Sequence, residues 1–589
     1  MDPDESDSDT KQETMTIRSG LCLQSTLLTP YHAFAVGSEQ IQRSGAVFQH
    51  VFLPVCPTTI QERPGQSVLE RFREPLTLIT TAFPESTMPP YRNKLYADEG
   101  YLLSGHETEA MTLGHLLAPP PRTITDLTPY AEQPFIDLRQ SIEDGSFFDM
   151  NRSEVLQVLK GAFHKELDYL KSAYAASCPY AADLESPSPS ELLFRRRMPE
   201  VDRTLTGILA LRWLHNNDYT SFTRNQDSTS RLSRGSFQEL RAFFATGLRG
   251  YTDHEAVFTL IVMQMTNDLG KSSKLSHELQ SRLPSGARVS ANHDMVVQQV
   301  LQHCDYLIPS FQCLTHNQRS LVRKLIRLSA EFNPGQLVQA ECPPAAMNTL
   351  TELQINSAEL NMKFMEIFLD VAGARGHVDH EGAATMTETT FQGYMQARIQ
   401  SLEVTNGRLR PEQAYEGVLQ HSLNMLTNAG YEHKMDVSKC PKAYAKARLF
   451  CMGRVSDAGT ASLYEDVYEQ LPAYLQQNLE EGLGIRAHAA VIPTYMPAML
   501  SWVRGPKQEE QLVALLTYLS RVLLLSAEEL SKLPQDVVIV ERDVKSILEP
   551  LVKSDDFRKD PASVVNDKTA LPVIEIAKRS TARSQPTRS

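Results

Sequence analysis

Two acidic side chains lie within apolar segments and are the best candidates for chemistry in this sequence. Asp268 closes the segment DHEAVFTLIVMQMTNDLGK at residues 253–271, directly after an almost entirely apolar run. Asp370 interrupts a second apolar segment, FMEIFLDVA. A carboxylate in such surroundings needs a hydrogen bond, an opposite charge or a metal ion to offset its loss of hydration. The pair indicates a shared cation or ligand, although a hydrogen bond to a helix terminus or to an arginine explains Asp370 equally well.

The segment that ends in Asp268 has the pattern of a buried helix. Asp253 is a typical N-cap residue, and we expect Gly270 to end the helix in the left-handed conformation. Residues 256–265 are apolar on every side, so this helix must be buried on most of its surface. Asn267 and Asp268 would then emerge at its last turn.

This helix ending, Asp268-Leu269-Gly270-Lys271, resembles the HD-domain superfamily of metal-dependent phosphohydrolases, in which an apolar helix ends in His-Asp followed by Ile or Leu, Gly and Lys. The resemblance implies a helical bundle that gathers His and Asp side chains around one or two metal ions. It implies catalytic roles for Asp268, as the bridging carboxylate, and for Lys271. The implied cofactor is a divalent transition metal (iron, manganese or zinc), which activates water or neutralises a phosphoryl oxygen; some relatives hold two irons and oxidise carbon. Asn267 departs from the pattern, because the family has histidine there.

The resemblance also implies further metal ligands C-terminal to Asp268. His293 and Asp294, in the sequence Asn292-His293-Asp294, are the first candidates, and Asp370 would be the final aspartate of the site. The residues themselves permit a simpler interpretation. Asp294 would lie in the first turn of a helix, where the helix dipole favours an acid, with His293 beside the cap.

A third candidate site is the sequence HVDHE, which contains His377 and His380. Its density of imidazole and carboxylate groups would suit a metal ion. The surrounding glycines, Gly373, Gly376 and Gly382, instead mark a loop, in which adjacent polar residues are simply solvated.

The elements that must position these residues are helices, so we predict a mainly α fold: a large multi-helix bundle with an irregular N-terminal segment containing a few short strands. Apolar residues recur at steps of three or four along most of the chain after the Pro119-Pro120-Pro121 run. The predicted organisation is a disordered acidic tail (1–14), an irregular or extended segment (15–121), a helical core with the HD-like motif (122–405), a C-terminal helical region (406–576) and a disordered basic tail (577–589).

Composition excludes several classes of protein. The formal charge of -13 disfavours nucleic-acid binding through a broad positive field. The eight cysteines form no CxxC pair, which fits a reducing compartment. An acidic N-terminus is unlike a secretory signal, and no apolar run reaches the roughly 20 residues needed to span a bilayer. We therefore expect a cytoplasmic protein that binds a small-molecule ligand, with no nucleic-acid or membrane partner.

These observations favour a metal-dependent enzyme of HD-like descent, a phosphohydrolase or oxygenase acting on a small molecule. Two alternatives stay open. One is a metal-free helical cyclase or isomerase whose buried acid donates a proton in an apolar pocket. The other is a catalytically inactive HD-like scaffold that binds a protein partner, for which Asn267 and the charged tails are the argument.

Overall fold

Helices form most of the described part of the chain. The computed structural model describes residues 132–173, 186–290, 292–432, 435–484, 500–503, 505–532, 537–542, 544–572 and 574–578. All of them belong to one compact unit, Glu99–Ser589. The predicted acidic tail, the segment 15–121 with its predicted strands, and residues 579–589 lie outside the described residues.

The N-terminal part of the fold supplies the helix that directly precedes Asn267 and Asp268. Its helices are α1 (Gln133–Glu143), α2 (Ser146–Asp149), α3 (Arg152–Ala162), α4 (His164–Lys171), α5 (Pro189–Phe194), α6 (Pro199–His215), α7 (Tyr219–Phe222), α8 (Arg234–Gly247), α9 (His254–Thr266) and α10 (Ser273–Gln280), with a 3-10 turn at Leu269–Lys271.

The middle of the chain supplies the helix that carries Asp370. Its helices are α11 (His293–His303), α12 (Pro309–Gln312), α13 (His316–Glu331), α14 (Pro334–Val338), α15 (Asn348–Glu352), α16 (Ser357–Gly373), α17 (Glu388–Thr405), α18 (Pro411–Asn428), α19 (Pro441–Met452), α20 (Ala458–Gln470) and α21 (Ala473–Leu483), with 3-10 turns at Asp305–Leu307 and Pro344–Met347.

The C-terminal part combines helices with a small sheet that the sequence pattern did not predict. Strands β1 (Val537–Arg542) and β2 (Ile574–Lys578) pair antiparallel, and Lys578 lies opposite Val537. Residues 577 and 578 were predicted to open the basic tail, and they are the last two residues of β2. The other elements are a 3-10 turn (Leu500–Trp502), α22 (Gln508–Lys532), α23 (Val544–Val552), α24 (Asp555–Lys559) and α25 (Pro561–Val564).

Helix α9 lies in the core, as its sequence predicted. The Asp253 carboxylate accepts a hydrogen bond from the backbone N–H of Ala256 at 3.1 Å, which caps the helix. Every residue from Ala256 to Thr266 is buried. An apolar helix of this kind is stable only when other helices cover all its faces, and α6 and α16 are among those that pack against it.

Helices α6 and α16 approach each other closely because glycines lie at their contact. A Cβ on Gly373 would lie 2.2 Å from the carbonyl oxygen of Arg203 and 2.7 Å from the backbone nitrogen of Gly207. A Cβ on Gly207 would lie 2.7 Å from the carbonyl oxygen of Leu369. This contact brings the start of α6 beside the end of α16, where Asp370 lies.

The observed architecture confirms the mainly α, multi-helix fold. No helix within the described ranges is long and apolar enough to cross a membrane.

Candidate functional site

A close backbone contact places Asp268 beside the start of α11. Asp268 directly precedes the 3-10 turn Leu269–Lys271, and the prediction of a left-handed Gly270 is wrong, because Gly270 is not among the glycines with positive φ. Its lack of a side chain serves another purpose. A Cβ on Gly270 would lie 1.9 Å from the carbonyl oxygen of His293, so only glycine lets the turn lie against the first residue of α11.

Lys271 provides the charge that the buried Asp268 carboxylate requires. Its Nζ lies 2.7 Å from Oδ1 of Asp268 and 3.0 Å from Oε2 of Glu200 on α6. Arg203, one turn further along α6, donates to both oxygens of Glu200, at 2.8 and 3.1 Å. Burial opposes ionisation of Asp268, but Lys271 and Arg203 outweigh it and hold the pKa of Asp268 well below its usual range.

His293 and Asp294, the next two candidate ligands, lie beside Asp268. Nε2 of His293 lies 4.0 Å from Oδ1 of Asp268 and 3.9 Å from Oδ2 of Asp294. Asn292 caps α11 by accepting from the backbone N–H groups of Asp294 and Met295, so Asp294 also occupies the dipole-favoured first turn. The His293 side chain is 34% exposed and forms the solvent-accessible edge of the group.

Asp370 belongs to the same group of charges. Loss of hydration and the neighbouring charge of Asp268 raise the pKa of Asp370, against the influence of Arg203. Asp370 keeps partial solvent access. The two acids singled out from the sequence therefore influence each other electrostatically, and Asp370 favours the protonated form more than an ordinary aspartate does.

The sequence analysis missed an acid one turn before Asp370. Glu366 is buried on α16 and forms an ion pair with Lys363 on the same helix. The pKa of Glu366 is raised to about 7, mainly by burial; Lys363 lowers it, and the charges of Asp370 and Asp294 contribute to the rise. The i,i+4 spacing of Glu366 and Asp370 within an apolar helix was the available signal, because it places both acids on one face.

We call the whole group the central polar cluster. It joins α6, the 3-10 turn after α9, α11 and α16 through charged side chains that come from distant parts of the sequence. Its members are Glu200, Arg203, Asp268, Lys271, His293, Asp294, Lys363, Glu366 and Asp370.

The raised pKa of Glu366 predicts a stability that depends on pH. The folded state binds this proton with a pKa of about 7, against an ordinary value of 4.5, so its stabilising contribution is complete below about 4.5 and is lost as pH rises through 7. We expect the free energy of unfolding of Glu366→Gln, relative to that of the wild type, to be higher at pH 8 than at pH 5 by on the order of 1–3 kcal/mol. Urea unfolding at both pH values measures this difference. Glu239→Gln, at an exposed position on α8, is the control; an equal pH response in both variants would contradict the prediction.

The loop histidines lie in different surroundings from those predicted. The loop is not solvated, because His377 and His380 are 2% and 0% exposed. Nε2 of His380 lies 3.2 Å from Oγ of Ser186. Burial, together with the charge of Arg152, lowers the pKa of His380. His380 is thus a neutral buried imidazole that contacts a serine.

The donor groups of the central polar cluster, as positioned, do not fit a metal site. Among the described residues, no three His, Cys, Asp or Glu side chains are grouped so that they could hold a metal ion. The ammonium group of Lys271 already contacts Oδ1 of Asp268, the carboxylate to which the resemblance assigns the metal-bridging role. Asn267 offers an amide, which is a poor ligand for zinc or iron.

The fold and its charged interior define a mainly helical protein with a central ionic cluster that reaches the surface at His293. Comparison with protein families gives a more specific assignment. A family model described as a family of unknown function (DUF6829) matches residues 156–564, and the chain belongs to that family. No significant match was found among curated proteins or among solved structures.

Proposed function

We propose that this protein is a metal-independent helical protein of HD-like descent that binds a small molecule at the central polar cluster. One observation carries the proposal: Nζ of Lys271 lies 2.7 Å from Oδ1 of Asp268 and 3.0 Å from Oε2 of Glu200. In the proposed descent, Lys271 and Arg203 supply the positive charge that a metal ion supplies in the HD superfamily.

The cluster is suited to acid–base chemistry. The pKa of Glu366 is raised to about 7, so this carboxyl group can hold a proton near neutral pH, and the raised pKa of Asp370 favours its protonated form more than in an ordinary aspartate. Such a carboxyl group can donate a hydrogen bond or a proton to a bound molecule. The partly exposed His293 marks where a ligand would enter. This supports the metal-free isomerase or cyclase class, with Asp370 as the proton donor.

A metal-dependent hydrolase or oxygenase is the second candidate, and charge balance is the observation that favours it. Five carboxylates, from Glu200, Asp268, Asp294, Glu366 and Asp370, accompany three permanent cations, from Arg203, Lys271 and Lys363. Two protons or one divalent cation would balance the excess. Asp268, His293 and Asp294 are the side chains that a cation would have to bring closer together.

Metal analysis of the purified chain separates the two candidates. We expect less than about a tenth of an equivalent of bound iron, manganese or zinc, and an unchanged melting temperature after chelation, because Lys271 already compensates Asp268. The double variant Asn267→His, Lys271→Met is the matched comparison, and it should bind more metal than the wild type. Near-stoichiometric metal in the wild type, with a lower melting temperature after chelation, would establish the second candidate instead.

Ligand binding is tested separately from metal binding. A thermal-shift screen of small metabolites against the wild type and Asp370→Asn should give ligands whose stabilising effect is lost in the variant. Ligands that stabilise both proteins equally would place binding elsewhere.

A further inference from the structure

The segment Ser186-Pro187-Ser188-Pro189-Ser190 contains two serines that share the same sequence motif and differ in their surroundings. Both Ser186 and Ser188 precede a proline. Ser188 is 0% exposed and caps α5, because its hydroxyl accepts from the backbone N–H of Glu191. Ser186 precedes the helix and keeps partial solvent access. The fold therefore buries the hydroxyl of Ser188 and leaves that of Ser186 accessible to solvent.

The hydroxyl of Ser186 faces a loop with charged side chains. It donates a hydrogen bond to Oε1 of Glu381 and lies 3.2 Å from Nε2 of His380. Arg224 lies 3.5 Å from the other oxygen of Glu381, and its side chain is 58% exposed. Ser186 thus connects α5 to the loop that follows α16.

A second cation near this position has unused hydrogen-bonding capacity. Arg152 donates to the carbonyl oxygen of Pro187 at a long 3.4 Å, and its Nε is buried with no hydrogen-bond partner in the structure. It forms no ion pair within 4.0 Å with any described residue. Desolvation lowers the pKa of Arg152, while the charges of Glu381 and Asp202 partly restore it. A dianion beside Arg152 would compensate the guanidinium charge for its lost hydration.

We propose that Ser186 is a phosphorylation site for a proline-directed protein kinase, and that Arg152 and Arg224 receive the phosphate. The γ-phosphoryl group of ATP passes to Oγ of Ser186: a new O–P bond forms, the bond to ADP breaks, and the hydroxyl proton leaves to the catalytic base of the kinase. The phosphate then replaces Glu381 as the anion beside Arg224 and gives Arg152 an anionic partner, because it carries more charge and more acceptor oxygens than a carboxylate. This inference does not rest on the proposed function.

The consequence is a change in how α5 is held. In the unmodified chain, Ser186 donates to Glu381, whereas a phosphoserine dianion has no proton to donate, accepts from the guanidinium groups and repels that carboxylate. Phosphorylation therefore replaces the contact of Ser186 with Glu381, in the loop after α16, by a contact with Arg152 on α3. Ser188 cannot substitute, since modification of its buried hydroxyl would remove the cap of α5.

Phosphate mapping tests the site. The full-length chain is incubated with a purified proline-directed kinase and Mg-ATP, and the phosphorylated residue is assigned by tandem mass spectrometry. A synthetic peptide spanning residues 180–194 is treated in parallel. Of the two serines Ser186 and Ser188, we expect phosphate on Ser186 alone in the folded chain, on both in the peptide, and on neither in the folded Ser186→Ala variant. Preferential modification of Ser188 in the folded chain, or a folded chain that stays unmodified while the peptide is modified, would overturn the proposal.

A second measurement does not depend on the kinase. Phosphoserine is incorporated at position 186 during translation, in the wild-type background and with Arg152→Met. We expect Arg152→Met to lower the melting temperature of the phosphorylated chain clearly and that of the unmodified chain little, because only the phosphate depends on the guanidinium. Equal effects on the two chains would overturn the role given to Arg152.

Discussion

Replacing Gly270 with alanine should destabilise this protein by about 3 kcal/mol or more, although it adds only one methyl group. The new Cβ would lie 1.9 Å from the carbonyl oxygen of His293, 2.6 Å from its carbonyl carbon and 2.9 Å from its Cα. These are backbone atoms, so no side chain can rotate away. The 3-10 turn or the start of α11 would have to move, and His293 would separate from Asp268. Urea unfolding of the variant measures the loss.

Gly161→Ala is the matched control for this prediction. Gly161 lies within α3, and a Cβ there would meet its nearest atom, Cβ of Pro134, at 3.8 Å, an ordinary contact. Alanine is favoured over glycine inside a helix by roughly 0.5–1 kcal/mol, so this variant should be at least as stable as the wild type. Equal stability of the two variants would show that the close contact at Gly270 is not needed for folding.

The helical framework was predictable because its signals are local. The apolar run of α9, with Asp253 in front of it, specified a capped and buried helix. Apolar periodicity operates over a few residues and does not depend on which helices become neighbours. The two-stranded sheet escaped prediction because its strands, Val537–Arg542 and Ile574–Lys578, are short and come from distant positions in the sequence.

The acids of the central polar cluster were predictable in part. Asp268 and Asp370 stood out as carboxylates among apolar neighbours, and the HD-like ending drew attention to His293 and Asp294. Glu200, which shares the ammonium group of Lys271 with Asp268, could not be found this way, because it lies 71 residues from Lys271 in the sequence. Which cation compensates a buried acid depends on tertiary packing, and no local pattern reports it.

The loop after α16 shows the opposite error, in which local glycines suggested solvation. Those glycines instead allow close packing: a Cβ on Gly376 would lie 2.6 Å from the carbonyl oxygen of Asp202, and one on Gly382 would lie 2.6 Å from that of Arg224. Such contacts bury His377 and His380. Glycine in a loop therefore has two interpretations, a turn or a close approach, and the sequence alone does not choose between them.

Lys271→Met should be the most destabilising substitution of a charged residue in the cluster. The variant leaves the carboxylates of Asp268 and Glu200 buried without their shared ammonium group, and removing one partner of a buried ion pair typically costs about 3–5 kcal/mol. The free energy of unfolding at neutral pH measures the effect. Lys274→Met is the control, since Lys274 and its partner Asp168 are about half exposed and such pairs contribute about 0–1 kcal/mol.

A double-mutant cycle with Asp268→Asn then distinguishes compensation from catalysis as the role of Lys271. If Lys271 is present to balance charge, Asp268→Asn with Lys271→Met should be more stable than Lys271→Met alone, because the second change removes the uncompensated charge. If the double variant is the less stable of the two, the Asp268 carboxylate has another partner in the absence of Lys271. Metal analysis of Lys271→Met identifies that partner: a retained divalent ion would mean that the lysine covers a working metal site, and would move the assignment to the metal-dependent candidate.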